Sequence, residues 1–259
     1  MNLSKIVWLP LVILLAAFIV NANEPDKAEQ KPSKARTEQV SAEAAAPVAT
    51  RPPAKPARVL YRPPKMGKPA RTVGGGSRGT PNKVPKLYVV APAHVGQTTS
   101  TEPSLYWYVD RVPDESIRIE FTVLDEESIE PRVETTLETP RVAGVQRIRL
   151  SDYGLELVAD TEYQWSVALV LDPDERSKDI VASGWIDHVA ASTQLATRLE
   201  QGGQAQIASV YAEEGIWYDA FSALSEEIDR HPEDGELLDQ RADLLRQVGL
   251  EEAAGGASE

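Results

Sequence analysis

Between Lys86 and Val189 the chain alternates apolar and polar residues in short runs separated by turn residues, and only β-strands half-buried in a sheet have that period of two. The clearest run sets Ile117, Ile119, Phe121 and Val123 against Arg118, Glu120 and Thr122. Six more runs share the signature. They are Leu87–Val90, Leu105–Val109, Val133–Leu137, Ile148–Leu150, Tyr163–Leu171 and Gly184–Ile186. Seven short strands in about 100 residues, with regular turn spacing, predict an immunoglobulin-like sandwich over residues 86–190. Leu157 stands six residues before Tyr163, the spacing of a tyrosine corner, in which the phenol bonds back to the chain entering its strand. The stretch is also similar to fibronectin type III modules, which implies that Trp107 on the second strand fills the core. Trp107 and Trp165 share the phase of the buried Leu and Val residues, whereas Tyr106 and Tyr108 point to the other face. They are either covered by another part of the chain or offered to a partner.

After Ala190 the period becomes helical. Leu195 and Leu199 begin a short helix that stops at Gly202-Gly203. Beyond it, Gln204, Ile207, Ala208, Tyr211 and Gly215 are echoed 34 residues later by Leu238, Arg241, Ala242, Leu245 and Gly249. With Ala220, Leu224 and Pro232 between them, the pattern is that of a tetratricopeptide repeat. One and a half repeats, over residues 191–250, cannot form a stable array alone, so the hairpin must bury a face against the sandwich or a partner. Residues 251–259 read as a disordered tail.

Upstream of the strands the composition breaks. Residues 23–86 carry 14 Lys and Arg against 5 Asp and Glu, and 11 of the 19 prolines, whereas residues 87–259 carry 12 against 35. Residues 23–85 therefore read as a disordered, basic, Pro/Ala/Lys-rich tether with too little apolar surface to offset its ordering entropy. A coil of that length spans roughly 45 Å. Weak contact with an anionic membrane or polymer is one use for its charge, and plain spacing is the other. Within it, Gly74, Gly75, Gly76 and Arg78 could form an anion-binding nest, but no Gly-Lys-Ser/Thr follows to make a phosphate loop. Nucleic acid is disfavoured as a partner, because the acidic body would repel a phosphate backbone.

Residues 1–22 have the form of a secretory signal, with Lys5, an apolar run from Ile6 to Val20 and a Val20-Asn21-Ala22 cleavage site. The run is short for a spanning helix and contains Pro10, so a periplasmic or secreted bacterial protein is expected, with an inner-membrane protein anchored by an uncleaved signal as the alternative. The chain has no cysteine and only three histidines, His94, His188 and His231. The first fact excludes thiol catalysis, cysteine-held metal and disulfides. No motif supplies a reaction, and neither a cofactor nor a metal is implied. For a hydrolase, the best residues are Asp219 and the Asp187/His188 pair.

The stretches from Tyr61 to Gly79 and from Gly96 to Trp107 belong with two further signatures, Gly184-Trp185-Ile186 and Gly215-Ile216-Trp217-Tyr218-Asp219-Ala220. Together they resemble an uncharacterised, exported bacterial family, domain of unknown function nine-two-eight. The resemblance implies export but carries no activity. It also implies, in many relatives, a disulfide that this cysteine-free chain lacks. A non-enzymatic binding or adaptor protein of the cell envelope is the expected function, with a structural envelope component as the alternative. Its candidate partner surface is the meeting of sandwich and hairpin at Trp185, Trp217, Tyr218 and Asp219, with Tyr106 and Tyr108. The same tryptophans could equally serve only to hold the two parts together.

Overall fold

The structure, a computed structural model, describes residues 58–64, 84–126 and 128–256. The leader, most of the tether and the glycine run at 74–79 lie outside the described residues.

Among the described residues every expected run forms a strand, and an eighth joins them. The strands are β1 (Leu87–Val89), β2 (Gly96–Thr98), β3 (Ser104–Val109), β4 (Arg118–Asp125), β5 (Val133–Leu137), β6 (Gly144–Arg149), β7 (Glu162–Val170) and β8 (Ile180–His188). One sheet has the order β1-β3-β6, and the other β2-β8-β7-β4-β5. All pairs are antiparallel except β2 with β8. In β4 the alternation is realised as read, with Ile119, Phe121 and Val123 buried. The Tyr163 hydroxyl accepts the Val158 amide at 3.1 Å, so the chain turns back on itself at the expected corner.

Among the described residues five helices follow: α1 (Thr193–Gln201), α2 (Ile207–Glu213), α3 (Trp217–Arg230), α4 (Gly235–Gln247) and α5 (Glu251–Gly256). Ser192 and Asp234 cap α1 and α4, each side chain accepting first-turn amides that would otherwise lack partners. In α3 the buried set of Trp217, Ala220, Phe221, Leu224 and Ile228 forms one stripe at helical spacing. Gly215 and Gly249, 34 residues apart, follow α2 and α4 with φ of +81° and +79°. The sequence echo thus repeats a left-handed helix end that glycine adopts without steric cost.

Residues of both sheets and of α2 to α5 share one continuous core. Strand β3 lies in the middle of it. Leu105, Trp107 and Val109 fill one side, and Tyr106 and Tyr108 are buried on the other beneath helices.

Two segments expected to be disordered are folded. Residues 58–64, within the stretch read as tether, form a strap. Val59 and Tyr61 are 1% and 7% exposed. Gln247 of α4 accepts the Tyr61 amide at 2.8 Å and donates to the Val59 carbonyl at 2.9 Å, and the Arg62 amide reaches the Ala212 carbonyl at 2.9 Å. Averaging composition over the tether hid two large apolar side chains, each worth roughly 1.5–3 kcal/mol when buried. Residues 251–256, read as tail, form α5. Ala253 and Ala254 are small enough to enter the core, while Glu252 binds Lys86 Nζ and the Tyr88 hydroxyl, both at 2.7 Å.

Candidate functional site

The first turn of α3 is pressed into the sheets. Trp217 and Tyr218 are 0% and 1% exposed. Trp217 donates its indole N–H to the Val90 carbonyl at 3.2 Å, meets the Tyr61 ring edge-on at 5.0 Å, and stacks on Phe221. The Tyr218 hydroxyl accepts the Trp165 indole N–H at 2.9 Å and donates to the Trp185 carbonyl at 3.0 Å. Burial pushes the phenol well above its usual pKa, so it stays protonated and keeps that donor. The ring passes so close to β2 that a Cβ on Gly96 would lie 2.7 Å from it. This approach requires glycine at position 96.

Tyr106 packs edge-on against Phe221 at 4.9 Å and lies 3.2 Å from the Ser222 hydroxyl, both on α3. Tyr108 is closed over by α5, whose Gly256 leaves no room for a side chain against the Tyr108 hydroxyl. Of the six side chains marked as a candidate partner surface, Tyr106, Tyr108, Trp217 and Tyr218 are therefore inside the molecule. Only Trp185 and Asp219 are half-exposed. The sequence pattern brings the helices and sheets together at the right residues, and most of these side chains are packed within the seam rather than offered on its surface.

An opening exists one step further out, at Asp219. This residue is not the cap of α3, since Ile216 occupies the cap position. Its two carboxylate oxygens accept the Thr99 hydroxyl at 2.8 Å and the Thr99 amide at 3.1 Å, tying the turn after β2 to the helix. Burial raises the carboxyl pKa, and hydrogen bonds from Thr98 and Thr99 oppose the rise. Asp219 forms the floor of a cleft of about 300 Å³. Ser100, Glu102 and Ser104 wall it on the sheet side, and Tyr211, Ser222 and Glu226 on the helical side. Three carboxylates among hydroxyls suit a cationic group or a cluster of hydrogen-bond donors. Glu226 belongs to the acidic helix surface that the sequence displays, but nothing local in the sequence marks Thr99 or Glu102.

Asp187 and His188 follow one another in β8, so their side chains leave opposite faces of the sheet. Burial, then Glu162 and Asp160, raise the Asp187 pKa. This spacing does not make an acid–base pair aimed at one substrate. Among the described residues, no three His, Asp or Glu side chains are placed to hold a metal ion, and no helix is long and apolar enough to cross a membrane.

The family model described as Domain of Unknown Function (DUF928) matches residues 73–257. It takes in every strand and helix of the described residues, but begins after the strap. No curated protein matches the chain. Among solved structures, one similar chain is astrotactin-2, described as a conserved vertebrate-specific and perforin-like membrane protein involved in neuronal development. The two share 12% identity over 70% of this chain and 37% of that one, with a TM-score of 0.26. A superposition this loose carries no argument about fold or function.

Proposed function

The chain belongs to the DUF928 family, and on that premise we propose that it is a non-enzymatic binding or adaptor protein of the bacterial cell envelope. Its binding site, in this reading, is the acid-walled cleft at Asp219, and its ligand is a cationic, hydrogen-bond-donating segment of another envelope protein. The observation that carries the reading is the tie between Asp219 and Thr99. Both carboxylate oxygens are engaged by the fold. The group thus shapes the cleft and sets its charge, whereas a general acid or base must reach its substrate's proton. Glu102 and Glu226 extend the negative wall, and charge complementarity of this kind steers a partner and selects it.

The same reading makes the two sheets an immunoglobulin-like sandwich and the helices a tetratricopeptide-like array packed on it. The strand order and the corner at Tyr163 support the first part. The 34-residue echo, with its two left-handed glycines, supports the second. The apolar leader supports export, and the basic composition of residues 23–85 supports weak contact with an anionic membrane or polymer.

The test is retention of envelope proteins by the immobilised full chain and by a Glu102→Lys, Glu226→Lys variant that melts at the same temperature. A protein held by the parent, released by salt and lost from the variant is expected. Identical retention by both chains would contradict the proposal.

A further inference from the structure

The strap at residues 58–64 is seated on a histidine. The Tyr61 hydroxyl lies 2.9 Å from Nε2 of His94, in the turn between β1 and β2. Their rings are 7° from parallel, with centroids 6.0 Å apart. Pro63, Pro92, Gln247 and Val248 help to close a hollow of about 230 Å³ around the pair. Tyr61 and His94 are the only titratable groups that line it among the described residues. The charges nearby are carried by the strap and α4: Arg58 pairs with Asp243 at 3.0 Å, Asp243 also binds Arg246 at 2.9 Å, and Arg62 follows Tyr61. From α3, Tyr61 meets the uncharged ring of Trp217.

This surrounding suits a neutral imidazole and not a charged one. No carboxylate lines the hollow to balance a proton on His94, and burial holds the ring below its ordinary pKa. Burial also pushes the Tyr61 phenol well above its usual value, so the phenol keeps its hydrogen. A protonated His94 could still give its Nε2 proton to the phenol oxygen. The phenol's own hydrogen would then need a new acceptor, and the side-chain carbonyl of Gln247 already accepts the Tyr61 amide. The strap can respond alone, because residues 58–64 belong to no helix or sheet. Lifting them breaks the bonds to Gln247 and Ala212 and exposes Val59 and Tyr61, but it disrupts no strand pairing. Local opening of this kind costs less than global unfolding.

We propose that the strap is a pH-sensitive latch, closed on neutral His94 and released when that ring takes up a proton, while the sheets and helices stay folded. The closed strap favours the neutral ring. Its seating is therefore at full strength above the ordinary imidazole value of about 6.5 and weakens as pH falls below it. Release uncovers the edge of Trp217 that Tyr61 covers and frees the turn after α2, where the Arg62 carbonyl rests against Gly215. The latch shares no lining residue with the cleft at Asp219, so it stands or falls independently of the function proposed there.

Amide hydrogen exchange of the full chain at about pH 7.5 and about pH 5.0, corrected for the intrinsic effect of pH, tests it. Protection of the Tyr61 and Arg62 amides should fall about threefold or more on acidification, while that of the β7 amides stays constant. In His94→Gln, which keeps a polar side chain that cannot ionise, strap protection should be the same at both pH values. Magnetic resonance titration of the three histidine rings gives the reciprocal measurement. Replacing Tyr61 with alanine, which unseats the strap, should raise the His94 pKa toward about 6.5, because the proton and the strap oppose each other equally in both directions. Strap protection in the parent that ignores pH, a His94→Gln strap that loosens on acidification as the parent's does, or a His94 pKa unchanged by Tyr61→Ala would overturn the proposal.

Discussion

The indole N–H of Trp165, in the middle of a β-strand, ends on the hydroxyl of Tyr218, in the first turn of a helix, at 2.9 Å. The same hydroxyl donates to the Trp185 carbonyl. One oxygen thus satisfies a donor and an acceptor from neighbouring strands of the larger sheet. Replacing Tyr218 with phenylalanine keeps the ring and removes the hydroxyl that accepts the Trp165 indole N–H. The expected loss is about 1–3 kcal/mol of stability, measured by urea unfolding. A Tyr218→Phe chain as stable as the parent would mean that the seam is held by apolar contact alone.

Gly215 and Gly249 separate the strap's contribution from that of backbone strain. Both have positive φ, so alanine at either costs about 1–2 kcal/mol from conformation. At Gly249 nothing lies within 4 Å of the added Cβ, whereas at Gly215 the Arg62 carbonyl lies 2.9 Å away. Gly215→Ala should therefore cost more than Gly249→Ala in the full chain. In a chain starting at Lys86, which lacks the strap, the two costs should converge. Denaturation of the four proteins gives the comparison.

These positions also mark what could be read from the sequence. The strands were legible because each has one face in the core, which imprints a period of two, as at Ile119, Phe121 and Val123. The helix ends at Gly202 and Gly215 were legible because glycine acts there through local backbone chemistry. Strand β2 was missed because three residues, Gly96-Gln97-Thr98, are too few to display a period, and Gly96 is there for the Tyr218 ring. The strap was missed because its partners, Gln247 and Ala212, lie about 150 residues or more along the chain. Asp219 was singled out for its aromatic neighbours. Its actual partner, Thr99, is brought there only by the docking of α3 on β2.

Asp219 gives the stability curve a specific slope. Its carboxyl pKa is raised in the folded state, so folding favours the protonated form. The stabilisation from that proton is fully present below the unfolded pKa and is lost as pH rises through the folded one. Relative to Asp219→Asn, which cannot ionise, the parent should lose stability as pH rises above about 4, the ordinary carboxyl value. Unfolding free energies of both chains at several pH values decide it. A parent that gains on the variant as pH rises would show that the bonds from Thr98 and Thr99 outweigh burial.

The central claim is that the cleft floored by Asp219 receives another protein. A photoreactive residue in place of Ala223, on the cleft wall, tests it in the cells that make the protein, with Val142 on the exposed turn before β6 as the control position. The account predicts a discrete adduct with one envelope protein from position 223, none from position 142, and loss of the adduct when Glu102 and Glu226 are changed to lysine. Adducts of equal yield from both positions, or an adduct at 223 that survives the charge reversal, would contradict it.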